Sequence, residues 1–101
     1  MTITQNFNDG QWNIAIEGRL DANTSPELEE TLKAEPQGLT GLTLDFGELN
    51  YISSAGLRVM LLALKQMNMA GKPIKVVNVT DPVFEVLELT GFVDILDIER
   101  A

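Results

Sequence analysis

Residues 42–79, LTLDFGELNYISSAGLRVMLLALKQMNMAGKPIKVVNV, decide the fold. Leu42, Leu44 and Phe46 alternate with Thr43 and Asp45, the period-two pattern of a strand with one buried face. From about Ser54 to Ala70 the period changes to 3.6: Leu57, Met60, Leu61, Leu64 and Met67 fall on one stripe. Gly71 suits the stop of this helix, and Lys65 and Lys72 suit the negative end of its dipole. Ile74 to Val79 returns to an apolar run rich in β-branched residues, read as a further strand. A strand, a long amphipathic helix and a strand in succession form a parallel crossover, which is right-handed as a rule.

On the N-terminal side, Ile3-Thr4-Gln5-Asn6-Phe7 and Trp12-Asn13-Ile14-Ala15-Ile16 both alternate. Asn8-Asp9-Gly10 lies between them, and Asp-Gly supplies the positive φ angles of a tight hairpin. Gly18-Arg19-Leu20-Asp21 then leads into a polar loop. Ser25-Pro26 signals a helix start, with Thr24 and Glu27 as an alternative capping box. That helix buries Leu28 and Leu32 and ends before Pro36. Gly38 and Gly41 bracket the loop before the third strand, and Gly47 to Ser53 reads as a loop after it.

On the C-terminal side, Asp81-Pro82 repeats the cap-and-proline signature and opens a helix bearing Val83, Phe84, Val86 and Leu87. Gly91 ends it, and Phe92 to Ile98 is read as a last short strand. The predicted order is β-β-α-β-α-β-α-β, an α/β domain spanning residues 1–101 with one mixed sheet and helices packed on it.

The chain has 101 residues, 45% of them hydrophobic and 22% charged, the balance of one folded domain rather than a disordered segment. No apolar run approaches the roughly 20 residues that span a bilayer. The start MTITQNFNDG has neither the basic stretch nor the apolar stretch of a signal peptide. The expectation is a cytosolic protein without direct membrane insertion.

There is no Cys and no His. Thiol nucleophiles, disulfides, Cys-based metal sites and a Ser-His-Asp triad are thereby excluded, and the usual ligands of a zinc hydrolase are missing. Neither a GxxxxGK[ST] nor a GxGxxG run exists to cradle a nucleotide. A binding module without catalytic residues, cofactor or metal is expected, not an enzyme. Seven basic against 15 acidic side chains give a net charge of −8, which repels a phosphate backbone. A basic protein surface fits this charge better than nucleic acid does.

Tyr51-Ile52-Ser53-Ser54-Ala55-Gly56-Leu57-Arg58 places two hydroxyl residues between a buried segment and the main helix. Two readings stand. A serine here caps the helix, and Gly56 lets the chain pack closely. Alternatively, the free N–H groups and partial positive charge of a helix start suit a phosphate, and phosphorylation adds about −1.5 to −2 charges where the helix meets an exposed loop. Asp21 likewise reads as a turn side chain, or as a neighbour of Ser54 along the edge where the C-terminal ends of the strands gather. Glu27, Glu29 and Glu30 read as a solvated helix face. Asp94 and Asp97 lack the further ligands of a metal site. Met60, Met67 and Met69 read as core or interface filler.

Gly18-Arg19-Leu20-Asp21, the strand Leu42 to Phe46, Tyr51-Ile52-Ser53-Ser54-Ala55-Gly56-Leu57 and Leu89-Thr90-Gly91-Phe92, in that order, resemble a STAS domain. The similarity covers nearly the whole chain and is to the stand-alone anti-sigma factor antagonists. In that family the unphosphorylated antagonist binds a serine protein kinase, itself the anti-sigma factor, and frees the sigma factor. Phosphorylation by that kinase abolishes the binding, and a PP2C-type phosphatase reverses it. The phosphoacceptor precedes the Gly-Leu pair by two residues, which implies Ser54 here. The best-studied members carry Asp immediately before the acceptor, where this chain has Ser53, a competing acceptor. Asp21 matches the family's acidic residue near the acceptor. The resemblance implies a partner surface of Asp21, Ser53, Ser54, Gly56, Leu57 and Arg58. Two other roles remain open: a non-phosphorylated STAS subunit of an ABC-type lipid transporter, and a scaffold module of a stress-signalling complex.

Overall fold

The structure, a computed structural model, describes residues Met1–Ala101. It opens with β1 (Thr2–Asn8) and β2 (Gln11–Leu20), paired antiparallel from Thr2 opposite Glu17 to Asn8 opposite Gln11. The turn is the Asp9-Gly10 pair, with φ of 50° and 84°. Both values lie in the left-handed region that joins two-residue hairpins without splaying the strands. Every later strand joins in parallel: β3 (Gly41–Asp45) beside β2, β5 (Ile74–Val79) beside β3, and β6 (Asp97–Arg100) beside β5. Helices α1 (Ser25–Lys33), α2 (Ser54–Met69) and α3 (Asp81–Leu89) make the connections. The sheet runs β1-β2-β3-β5-β6.

A sixth strand, β4 (Leu49–Ile52), lies where the sequence predicts a loop. It continues along the same side of β2 that β3 leaves: β3 pairs with Gln11–Ala15, and β4 takes over at Gly18–Leu20. β2 is ten residues long, so it outruns the five-residue β3 and leaves edge groups for β4 to satisfy. Leu49 and Ile52 are buried, whereas Asn50 and Tyr51 are exposed, so alternation fails at the register shift by Gly18 and Arg19.

One face of the sheet carries Trp12, Ile14, Leu42, Leu44, Phe46 and Val76, all 1% exposed or less. Leu28 and Leu32 of α1, Met60, Ala63 and Met67 of α2, and Val83 and Leu87 of α3 close over it in one core. The other face is solvated, with Thr4, Asn6, Asn13, Glu17 and Lys75 exposed. Buried Trp12 places its indole N–H 3.0 Å from Gln5 Oε1, the partner such a donor needs when it leaves water.

Helix details shift from the sequence expectation. The buried stripe of α2 is Gly56, Val59, Met60, Ala63, Leu64 and Met67, and Leu57 and Leu61 sit on its half-buried flank. Small residues let α2 approach the sheet, so the helix rolls toward Gly56 and Ala63 and away from its bulkier leucines. Neither Ser25 nor Asp81 caps: each is the first helical residue, after Thr24 and Thr80. The Thr80 hydroxyl instead donates to the Leu49 carbonyl at 3.1 Å, tying α3 to β4. Phe92–Asp94 forms a 3-10 turn after Gly91 (φ 83°), and the last strand starts only at Asp97.

Candidate functional site

Leu20 and Ile52 are register partners at the ends of β2 and β4, so the two chains leave the sheet side by side. The first enters the loop at Asp21 and the second enters α2 at Ser53 and Ser54. The Ser53 N–H donates to the Leu20 carbonyl at 2.9 Å and joins the two exits directly. The structure thus brings Asp21, Ser53 and Ser54 to one edge.

Asp21 organises its own loop. Its Oδ1 accepts from the Asn23 N–H at 3.0 Å and the Thr24 N–H at 3.2 Å, and lies 3.2 Å from the Thr24 hydroxyl. That hydroxyl donates to the Arg19 carbonyl at 2.8 Å, which explains why Thr24 does not cap α1. Partial desolvation pushes the Asp21 carboxyl upward, but the Asn23 and Thr24 amides, the Thr24 hydroxyl and the Arg19 charge together outweigh it. The group is held below its ordinary value and stays ionised.

Ser53 and Ser54 differ in place: the first caps α2 and the second is exposed. Ser53 is the N-cap of α2, extended at φ −101°, ψ 178°, and its Oγ accepts from the Gly56 N–H at 3.5 Å. Ser54 is the first helical residue and is exposed. Of the amides at the helix start, Ser53 donates to the Leu20 carbonyl and Gly56 to the Ser53 hydroxyl, which leaves those of Ser54 and Ala55 without an acceptor. Gly56 is buried, and a β-carbon there would stand 2.8 Å from Ile52 Cγ1 and 2.9 Å from Leu20 Cγ. It is therefore a packing residue that seats the start of α2 on β2 and β4, beneath the surface rather than on it. Leu57 is half-buried and Arg58 exposed, so both reach the rim.

Sequence reading missed one pair. Arg19 and Tyr51 are register partners of β2 and β4, and the Arg19 guanidinium carbon lies 4.0 Å from the Tyr51 ring centroid. Arg19 Nε also lies 3.6 Å from Asp21 Oδ2, so one cation links the exposed ring to the loop carboxylate. Only the pairing of β4 with β2 exposes this relationship, and a loop reading of residues 47–53 hides it.

Residues 3–97 match the family model described as Mlab, STAS domain. The chain belongs to the STAS domain family. It is 34% identical, over all of its own length and 88% of the relative's, to BtrV of Bordetella bronchiseptica, a proposed anti-sigma factor antagonist. Among solved structures, a proposed anti-sigma factor antagonist of Thermotoga maritima superposes with a TM-score of 0.90 at 20% identity, over 98% of this chain and 86% of that one. The Bacillus anti-sigma factor antagonist SpoIIAA, solved unphosphorylated and phosphorylated, gives 0.76 in both forms at 11% and 13% identity. Those alignments cover 99% and 96% of this STAS domain, and 88% and 90% of SpoIIAA. The shared fold is that of anti-sigma factor antagonists, and no helix of this STAS domain is long and apolar enough to cross a membrane.

Proposed function

We propose that this STAS domain is an anti-sigma factor antagonist controlled by phosphorylation of Ser54. Unphosphorylated, it binds a serine-kinase anti-sigma factor in the cytoplasm and so frees the sigma factor. That kinase phosphorylates Ser54 and ends the binding, and a PP2C-type phosphatase restores it. The domain acts by binding alone and catalyses nothing.

The observation that carries this reading is the division of labour at the start of α2: Ser53 caps, while Ser54 stands exposed beside the Asp21 loop. A phosphate on Ser54 meets the two amides left free at the start of a 16-residue helix, those of Ser54 and Ala55, so the fold tolerates it. A docking partner does not. The dianion has to be desolvated in the interface, and losing a buried complementary contact costs about 2–5 kcal/mol, roughly 30- to 5,000-fold in affinity.

The test is a binding titration against the genomically adjacent serine kinase. Ser54→Ala is expected to bind as the parent does but to resist release by ATP, and Ser54→Glu to bind at least about 30-fold more weakly. Release of the Ser54→Ala complex by ATP at the parent's rate sinks the reading. A second reading, a STAS subunit of an ABC-type lipid transporter, draws on Ser53, which stands where well-studied antagonists carry Asp. It predicts full binding to the transporter's ATPase subunit by Ser54→Ala and no phosphate on either serine.

A further inference from the structure

β1 closes one edge of the sheet, and no element covers its outer side. Exposed edges offer unpaired N–H and C=O groups, and soluble proteins protect them with charges, Pro or bulges. This strand has none of the three. Its sequence, TITQNFN, lacks Lys, Arg, Asp, Glu and Pro in a chain of net charge −8, and its pairing with β2 is regular throughout.

The strand is also complementary to itself. Ile3, Gln5 and Phe7 lie opposite Ile16, Ile14 and Trp12, so they occupy the helix-covered face. Phe7 is nonetheless 41% exposed and Ile3 only half-buried, because the sheet ends there. Thr4 and Asn6 occupy the open face and are exposed. A two-fold axis perpendicular to the sheet, midway between the Gln5 residues of two copies, pairs their β1 strands antiparallel. It sets Phe7 of each copy against Ile3 of the other, and Thr4 against Asn6. On the helix-covered face two Phe7–Ile3 pairs flank Gln5, which meets Gln5 of the other copy; on the open face amide meets hydroxyl, and no like charges oppose each other.

We infer that two copies of this chain associate through β1 into one continuous sheet, a symmetric dimer. The start of α2 and the Asp21 loop lie outside β1, so both copies keep that edge open. A free, uncharged edge strand is the arrangement that β-strand addition uses.

The test is sedimentation equilibrium up to about 1 mM protein, the range of weak association. The parent chain is expected to approach twice 11.1 kDa. The double variant T4K/N6K opposes Lys to Lys across the axis twice and is expected to weaken dimerisation about ten-fold or more. The variant T4K/N6E opposes Lys to Glu at the same positions and is expected to restore it. Both sites are exposed, so folding is checked by the unchanged circular dichroism of each variant. A parent that stays at 11.1 kDa throughout, or a T4K/N6K variant that dimerises as the parent does, overturns the inference. So does equal weakening in T4K/N6K and T4K/N6E.

Discussion

A β-carbon at Gly56 would stand 2.9 Å from the Leu20 carbonyl oxygen, so the start of α2 rests directly on the backbone of β2. That contact seats Ser53 and Ser54 beside the loop that Asp21 organises. Gly56→Ala forces either the helix or the strand to move. Overpacking of this kind costs about 1–3 kcal/mol. Urea denaturation is expected to show a lower midpoint with an unchanged slope, and a midpoint equal to the parent's contradicts the contact.

Removing each serine separates the cap from the proposed acceptor. Ser53→Ala removes the hydroxyl that accepts from the Gly56 N–H, although at 3.5 Å that bond is long. A loss of about 0.5–1 kcal/mol is expected, the lower part of the range for N-caps. Ser54→Ala, at an exposed position, is expected to change stability by less than about 0.5 kcal/mol. Thermal unfolding of the two variants side by side measures the difference, and the reverse ranking contradicts the division of roles.

The lowered pKa of Asp21 fixes the sign of a pH effect. A carboxyl whose folded-state value is depressed contributes its stabilisation fully above the unfolded-state value, and the contribution disappears as pH falls through the folded-state value. The parent is therefore expected to exceed Asp21→Asn in stability by a constant margin at neutral pH. That margin shrinks only below the ordinary carboxylate range. Unfolding midpoints of both proteins across an acid series measure it, and a margin that grows toward low pH contradicts the hydrogen bonding at Asn23 and Thr24.

Arg19 and Tyr51 are the pair at this edge that sequence did not reveal. Their stacking at an exposed site is worth about 0.5–1 kcal/mol. A double-mutant cycle of Arg19→Ala and Tyr51→Ala is expected to return a coupling of that size. Additivity within error shows that the pair contributes nothing.

The helices and the first four strands of the main sheet order were legible because period and punctuation agree there, whereas the last strand begins at Asp97, five residues later than the expected Phe92. Leu42 to Phe46 alternates, α2 keeps its 3.6 period, and Asp9-Gly10 adopts the two positive φ angles its residue types predict. β4 was not legible. Four residues with buried ends and an exposed middle have no period-two signal, and their strand character comes from the free edge of β2. The site was half legible: residue types marked Asp21 and the serine pair. Which serine caps depends on one residue's backbone angles, and both serines suit either place. Gly56 was read as a surface contact of the partner, but its place is under Leu20.

The central claim is that Ser54, not Ser53, receives the phosphate. The direct measurement incubates the protein with ATP and its genomically adjacent serine kinase, shown to be active, and maps the product by peptide mass spectrometry. The account predicts a single phosphate on Ser54, lost on treatment with a PP2C-type phosphatase and absent from Ser54→Ala. Phosphate on Ser53 alone, or on neither serine, contradicts it.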